Sequence, residues 1–329
     1  MNPEFATIEL VSQLDINKMR PVAGFHANAL LRQDDWRTID DAVVKVARQN
    51  LTVLDDLARF GLVKPPAGLG LMFSSYEQQS ELTTANVDMA ADTRAEMSNL
   101  NHTTINIPVP IIHKEFSLNA RVLMNSRMNR MEGLDVSHAE SSARRVAEAI
   151  EDMIINGVTL TVNGSTIQGL TNATNRVTDT ATNFGGGAWS TAGNAYKTIN
   201  GMIAGIENKG FYGPYGVYVA NNLWSKLRNL ISTESGKSEM AALMENLGLA
   251  TGGQVAYVKP SRSLAAGTAV LFQLTSDVID IATGVGMTTV QWEEQGRLTS
   301  NFRVMAALAP RVKYDAGSNC GVAHATSAL

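Results

Sequence analysis

DVSHAESSARRVAEAIEDMIING, residues 135–157, is the stretch whose reading decides the fold. Val136, Ala139, Ala143, Val146, Ala147, Ile150, Met153 and Ile154 recur at steps of three and four. At about 100° per residue they share one stripe of a helix, so the segment reads as an amphipathic core helix. Ser137 with Glu140 has the form of a capping box, and Asp135 puts a negative charge at the positive end of the helix dipole. Asn156-Gly157 supplies the stop. At about 1.5 Å per residue the helix is roughly 30 Å long. Its polar face carries Glu140, Arg144, Arg145, Glu148 and Asp152.

Composition narrows what surrounds this helix. The chain has 329 residues, 44% of them hydrophobic, which is enough for a large core and for two domains. Charged residues make up 18% and the formal net charge is −4, which argues against holding nucleic acid by bulk positive charge. It leaves open a protein that merely surrounds nucleic acid placed there by something else. The one cysteine, Cys320, excludes an intrachain disulfide framework and fits a reducing compartment. MNPEFATIELVSQ lacks the basic and apolar regions of a signal peptide, and no run approaches the roughly 18 apolar residues of a membrane span. The expectation is a soluble protein made inside the cell, so the sequons at Asn101, Asn163 and Asn172 carry no meaning.

Upstream of the long helix, residues 1–33 show no sustained period and read as an arm. From Asp34 the pattern turns helical, with Trp36, Ile39, Val43, Val46, Ala47, Leu54 and Leu57 on one face and Gly61 closing it. Asn50 falls inside that stripe and is expected to be a satisfied buried amide. Residues 64–104 hold few large apolar side chains and no periodic block, which suggests an extended flap or β-hairpin that packs on a neighbour. Ile105, Ile107, Val109 and Ile111 then alternate with Thr104, Asn106, Pro108 and Pro110, an edge strand with two missing donors. The alternation slips at Ile111-Ile112 and continues through Phe116 and Leu118, as a bulge would cause.

Downstream, Asn163-Gly164 marks a short hairpin, followed by the polar loop TNATNRVTDTATNFGGGAW. Helices are expected over Ala192–Lys209, from Asn221 through Ile231, and over Ser238–Leu247. Strands are expected at Gly216–Ala220, Val255–Val258, Ala269–Leu274, Asp277–Ala282, Thr288–Glu293 and Phe302–Val312.

Catalytic signatures are missing. His26, His102, His113, His138 and His324 are scattered singly, without metal-ligand spacing. Ser235-Gly236-Lys237-Ser238 resembles the end of a phosphate loop, but the first glycine of that pattern falls on Ile231. Gly185-Gly186-Gly187 reads as a flexible surface loop, and Asp40-Asp41 and Asp55-Asp56 as solvated helix positions. We therefore assign no catalytic residue, no cofactor site and no metal site, and expect no enzyme.

The order of parts resembles the major capsid proteins of tailed phages, the Hong Kong 97-type α+β fold, and most nearly their encapsulin-like branch. Asp34-Asp35-Trp36-Arg37-Thr38-Ile39-Asp40 is similar to the acidic-Trp-x-x-Ile-Asp opening helix of encapsulins. Phe60-Gly61-Leu62-Val63 with Pro65-Pro66-Ala67-Gly68-Leu69-Gly70 resembles the start of their extended loop. Ile107-Pro108-Val109-Pro110 leading to Phe116 resembles the strand before their spine helix. Glu151-Asp152-Met153-Ile154-Ile155-Asn156-Gly157 with Ile167-Gln168-Gly169-Leu170 resembles the end of that helix and its sequel. The likeness is patchy but in order, over roughly residues 34 to 310.

The resemblance implies an N-terminal arm (1–33), a first helix of a peripheral domain (34–63) and an extended loop lying on a neighbouring subunit (64–104). It further implies a peripheral domain (105–189) with spine helix 135–157, an axial domain (190–285), and returning peripheral-domain strands with a C-terminal tail (286–329). Copies of the chain would form pentamers and hexamers of an icosahedral shell around double-stranded DNA, in a virion made in the host bacterial cytoplasm. A separate scaffolding protein, a portal and decoration proteins are the implied partners, and no membrane. Lys18, Arg20, Arg144 and Arg145 are candidates for the inner, DNA-facing surface. Two alternatives stand beside this reading: an encapsulin compartment around a cargo enzyme, and a soluble α/β enzyme with scattered catalytic residues.

Overall fold

A computed structural model describes residues 39–46, 51–80, 82–85, 87, 89, 97, 99–119, 137–232, 234, 236–249, 252–293 and 299–328. In chain order, residues 39–46 form α1, Thr52–Arg59 α2, Phe73–Gln79 β1, His102–Pro108 β2, Ile111–Asn119 β3 and Ser137–Asn156 α3. There follow β4 (Val158–Val162), β5 (Ser165–Ile167), β6 (Val177–Thr180), α4 (Asn194–Glu207), β7 (Tyr215–Ala220) and α5 (Asn221–Trp224). The chain closes with α6 (Glu239–Asn246), β8 (Val255–Ser261), β9 (Ala269–Gln273), β10 (Ile279–Glu293), β11 (Thr299–Val312) and β12 (Val322–Thr326). By contact it divides into two units. The first is Met1–Met72, Val109–Ile154 and Asp280–Pro310; the second is Phe73–Pro108, Ile155–Ile279 and Arg311–Leu329.

In the first unit the stripe read from α3 is the buried face. Ala139, Ala143, Val146, Ala147, Ile150, Met153 and Ile154 are all buried, and the adjacent Ser142 with them. Val136 and the proposed cap residue Asp135 lie outside the described residues. The expected single helix from Asp34 to Gly61 is instead two helical stretches. Leu51 has non-helical dihedrals and starts α2 afresh. A carboxylate from α3 supplies the missing cap, Glu151 Oε1 accepting from Thr52 Oγ1 at 2.8 Å and from the Val53 amide at 3.0 Å. A long-range cap of this kind leaves no local signature. At the other end Leu62 N bonds to Leu57 O and Gly61 N to Ala58 O, a Schellman turn that needs the positive φ of Gly61. Asp55 is exposed and paired with Arg59 as a solvated position should be, but Asp56 is buried, against expectation. Asn50 lies outside the described residues.

The first unit's sheet has the order β10-β11-β3. Phe116 of β3 sits opposite Phe302 of β11, and the rings stack at 4.9 Å. Residues 62–68 run along β10: Lys64 N donates to Ile281 O, Ala67 N to Thr283 O and Gly68 N to Gly284 O. This corrects the start of the flap, because residues 64–72 are tied to the first unit. The slip at Ile111-Ile112 is not a bulge either. The strand ends at Pro108 and a new one begins at Ile111, β2 pairing with β1 and β3 with β11. Two prolines in three residues withhold ladder donors at that switch.

The second unit is built on a five-stranded sheet in the order β6-β12-β9-β7-β8. Every residue of β7 is buried, as suits a central strand covered on both faces. One face packs Val217, Val219, Leu271, Ala323 and Ala325 with Ile199, Met202, Ile203 and Ile206 of α4. Opposite, Tyr218 stacks on Phe272 at 5.9 Å and its hydroxyl lies 3.2 Å from that of Tyr257. Glu239, fully buried at the start of α6, caps α4 by accepting from the Gly193 and Tyr196 amides at 2.9 and 3.0 Å. Burial raises its carboxyl above the ordinary value, and those amides oppose the rise.

Three expectations for this half need correction. The polar loop after residue 170 contains β6, which pairs in parallel with β12, about 145 residues away in sequence. Gly186 is not part of a free loop, since a Cβ there would fall 2.0 Å from Thr198 Oγ1 of α4. The helix expected from Asn221 through Ile231 is shorter, α5 ending at Trp224 with a single 3-10 turn over Lys226–Arg228 after it. In addition, residues 311–329 fall in the second unit, with β12 between β6 and β9. The expected strand pair Asp277–Ala282 and Thr288–Glu293 is one 15-residue strand, β10.

Candidate assembly interface

The flap is a two-stranded hairpin of the second unit. β1 and β2 pair antiparallel in register from Phe73↔Pro108 to Gln79↔His102. Ser80 extends the ladder, its amide donating to Asn101 O and its Oγ accepting from Asn101 N, each at 2.9 Å. Along β1, Ser74, Tyr76 and Gln78 are half-buried while Ser75, Glu77 and Gln79 are exposed. One face therefore rests on the unit and the other is bare.

The root of the flap is held by the end of β11. Arg311 is buried, and its Nη1 donates to Ser74 Oγ at 3.0 Å and to Ser75 O at 2.9 Å. Burial, with Tyr314 and Cys320 nearby, pushes the Tyr76 phenol well above its ordinary value, and a backbone hydrogen bond from Tyr314 opposes this. Away from the root the chain keeps apolar side chains in water. Leu82 and Leu100 are about half exposed, and Val87, Met89 and Met97 are almost wholly so. Such residues scattered singly need no explanation, but here all five fall between β1 and β2.

A second exposed hairpin, β4–β5, turns through Asn163 (φ 51°) and Gly164 (φ 76°), as its sequence indicates. Its base is a rigid joint. A Cβ on Gly157 would lie 2.6 Å from Ile167 O, and one on Gly169 2.3 Å from Gly157 N. Asn156 Nδ2 donates to Ser263 O at 2.6 Å, and Thr171 Oγ1 donates toward Ile155 O at 3.1 Å. The Asn-Gly…Gly-Leu pattern is thus a point of close backbone approach.

Of the four basic residues assigned to the inner surface, Lys18 and Arg20 lie outside the described residues. Arg144 and Arg145 are exposed neighbours on α3; Arg145 Nη1 donates to Glu148 Oε2 at 2.9 Å, whereas Arg144 has no ion pair among the described residues. Lys237 is engaged with Glu245 at 2.6 Å. Ser238 caps α6 by accepting from the Ala241 amide at 3.2 Å, so the last residue of the apparent phosphate loop serves a helix start. Among the described residues no group of three His, Cys, Asp or Glu side chains is placed to hold a metal, and no helix is long and apolar enough to cross a membrane.

This architecture has known counterparts. The chain is 26% identical over 289 residues to the type 1 encapsulin shell protein EncA of Myxococcus xanthus strain DK1622, covering 88% of this chain and 92% of the relative. Its fold matches the capsid of Myoviridae phage XM1 with a TM-score of 0.63 at 17% identity, over 84% of this chain and 91% of that one. It matches the virus-like particle from Pyrococcus furiosus with a TM-score of 0.59 at 15% identity, over 88% of this chain and 98% of that one. The fold is the Hong Kong 97-type α+β fold of phage capsid and encapsulin shell proteins. Residues 26–325 match the family described as "Family of unknown function (DUF6260)", and with 300 of 329 residues so matched the chain belongs to that family.

Proposed function

We propose that the chain is a shell-forming protein, many copies of which close into an icosahedral particle, and that the particle is the head of a tailed double-stranded DNA phage. The observation that carries the shell reading is the flap, a paired hairpin that exposes Leu82, Val87, Met89, Met97 and Leu100. Burying such a side chain contributes about 1.5–3 kcal/mol, so a flap laid on a neighbouring copy stabilises the assembly. A closed symmetric shell repeats that contact at every subunit. In this reading α3 is the spine of the peripheral domain and the sheet β6-β12-β9-β7-β8 with α4 and α6 forms the axial domain. Pentamers and hexamers are the building blocks, and a separate scaffolding protein, a portal and decoration proteins complete the head. The length of the flap and the fit to the phage XM1 capsid support the virion. The identity to EncA supports the second reading, an encapsulin shell around a cargo enzyme.

Electron microscopy of the purified native particle, with its absorbance ratio for nucleic acid, tests both. A large shell with several subunit environments and a DNA-rich spectrum is expected. A small uniform shell filled with protein would replace the virion by the encapsulin, and a stable small oligomer without any shell would overturn both.

Within the virion reading, Arg144 and Arg145, with Lys18 and Arg20 of the arm, face the packaged DNA. Arg144→Gln with Arg145→Gln is expected to lower packaged genome while leaving empty-shell yield unchanged. Unaltered packaging would remove these residues from the DNA surface.

A further inference from the structure

β12 carries a half-buried histidine, His324, that shell assembly leaves without a role. Ala323 and Ala325 belong to the core beside α4, so the strand's alternation turns Val322 and His324 to the opposite face. In register His324 stands between Thr178 of β6 and Val270 of β9. Both of its ring nitrogens are shut off from solvent, and neither has a hydrogen-bond partner among the described residues. A neutral imidazole always carries one N–H, and here that donor is unsatisfied.

The surrounding groups offer a proton no compensation. Arg176, immediately before β6, is the cation whose field reaches the ring. Its Nη1 donates to Ala173 O at 3.1 Å, while its own Nε is buried without a partner. Asp179 of β6 is paired with Ala325 and so points to the other face, where its Oδ1 accepts from Thr180 N and Asn183 Nδ2. α4, which carries Lys197 and Glu207, packs on that other face as well. β9 has no titratable residue. Beyond it Tyr218 is engaged with Tyr257. Cys320, just before β12, approaches Lys313 O at 3.5 Å, and burial pushes its thiol up to about 12. Burial first, and Arg176 second, hold His324 down at about 4, against an ordinary value of 6.5.

We propose that His324 is an acid-sensitive latch on the β6–β12 edge of the sheet: its neutral ring keeps the edge closed, and its protonation opens it. A protonated ring would place a second N–H and a charge where both nitrogens are closed to solvent and within the field of a guanidinium, so the charge must reach water. The exit is at β6, a four-residue edge strand whose ladder partner among the described residues is β12 alone. Because the closed state holds the proton more weakly than the open one, the latch's contribution is complete above about pH 6.5. It declines as pH falls and is lost below about pH 4. The latch belongs to this unit of the chain and stands independently of the shell reading.

Hydrogen–deuterium exchange of the full-length protein at pH 7 and pH 4.5, corrected for intrinsic exchange rates, tests it. Segments 175–183 and 319–328 are expected to lose protection by a factor on the order of a hundred, while α4 and β7 keep theirs. His324→Leu should abolish the difference between the two pH values. Arg176→Leu, which removes the repelling cation, should shrink it. Equal protection of the wild-type segments at both pH values would overturn the latch, as would an undiminished loss in His324→Leu. Where His324→Leu does not fold, an undiminished loss in Arg176→Leu would overturn it in the same way.

Discussion

β1 and β7 are strands of similar length in the same unit, yet their surroundings are opposite. Every residue of β7 is buried between neighbouring strands and the layers above and below it. In β1, by contrast, half-buried and exposed residues mostly alternate, and the hairpin it starts is covered on one face only. A two-stranded hairpin is marginal in water by itself, whereas a covered five-stranded sheet is self-sufficient. The chain thus holds one region enclosed by its own core and one that keeps a bare face. Arg311, at the end of β11, holds the first residues of the flap.

Substitutions graded along this contrast would break or sharpen it. The largest effect is expected in the sheet. Phe272→Ala removes a fully buried ring that stacks on Tyr218, and should lower the unfolding free energy of the unassembled chain by about 3–5 kcal/mol in denaturant titration. A loss of less than about 1 kcal/mol would mean that this face of the sheet is not a packed core. At the junction, Arg311→Leu leaves Ser74 Oγ and the Ser75 carbonyl without their donor, which should cost about 1–3 kcal/mol. Limited proteolysis should then cut within residues 73–80 faster than in the native chain; unchanged cleavage would show that the root is held by its ladder alone.

The smallest effect on the chain is expected at the far end of the flap. Val87→Ser with Met89→Ser changes exposed side chains, and each should shift stability by no more than about 0.5 kcal/mol. Particle yield by sedimentation should nevertheless fall, because the lost apolar surface is needed only between copies. Normal yield would take these residues out of the interface.

The legible parts were those whose cause is local. The stripe from Ala139 to Ile154, the stop at Gly157, the turn at Asn163-Gly164 and the face Ile199-Met202-Ile203-Ile206 are buried or shaped as their spacing indicates. Asp55 and Asp56 show the limit, being adjacent and chemically identical, with one in water and one inside. The flap could be read from what it lacks, a periodic block of large apolar residues, but its root could not. Nothing near Ser74 in sequence announces Arg311, 237 residues away.

By itself the sequence determined the helices with a clear stripe, their glycine stops, the tight turn and the general order of parts. Periodicity and backbone freedom act within a few residues, and they are written where they act. Tertiary structure alone decided that Glu151 and Glu239 cap helices to which they do not belong. It also decided that β2 and β3 enter different sheets, that β6 exists, and that both ring nitrogens of His324 are closed to solvent. Each of these depends on segments distant along the chain meeting in space, and a long-range contact leaves no periodic mark on either segment.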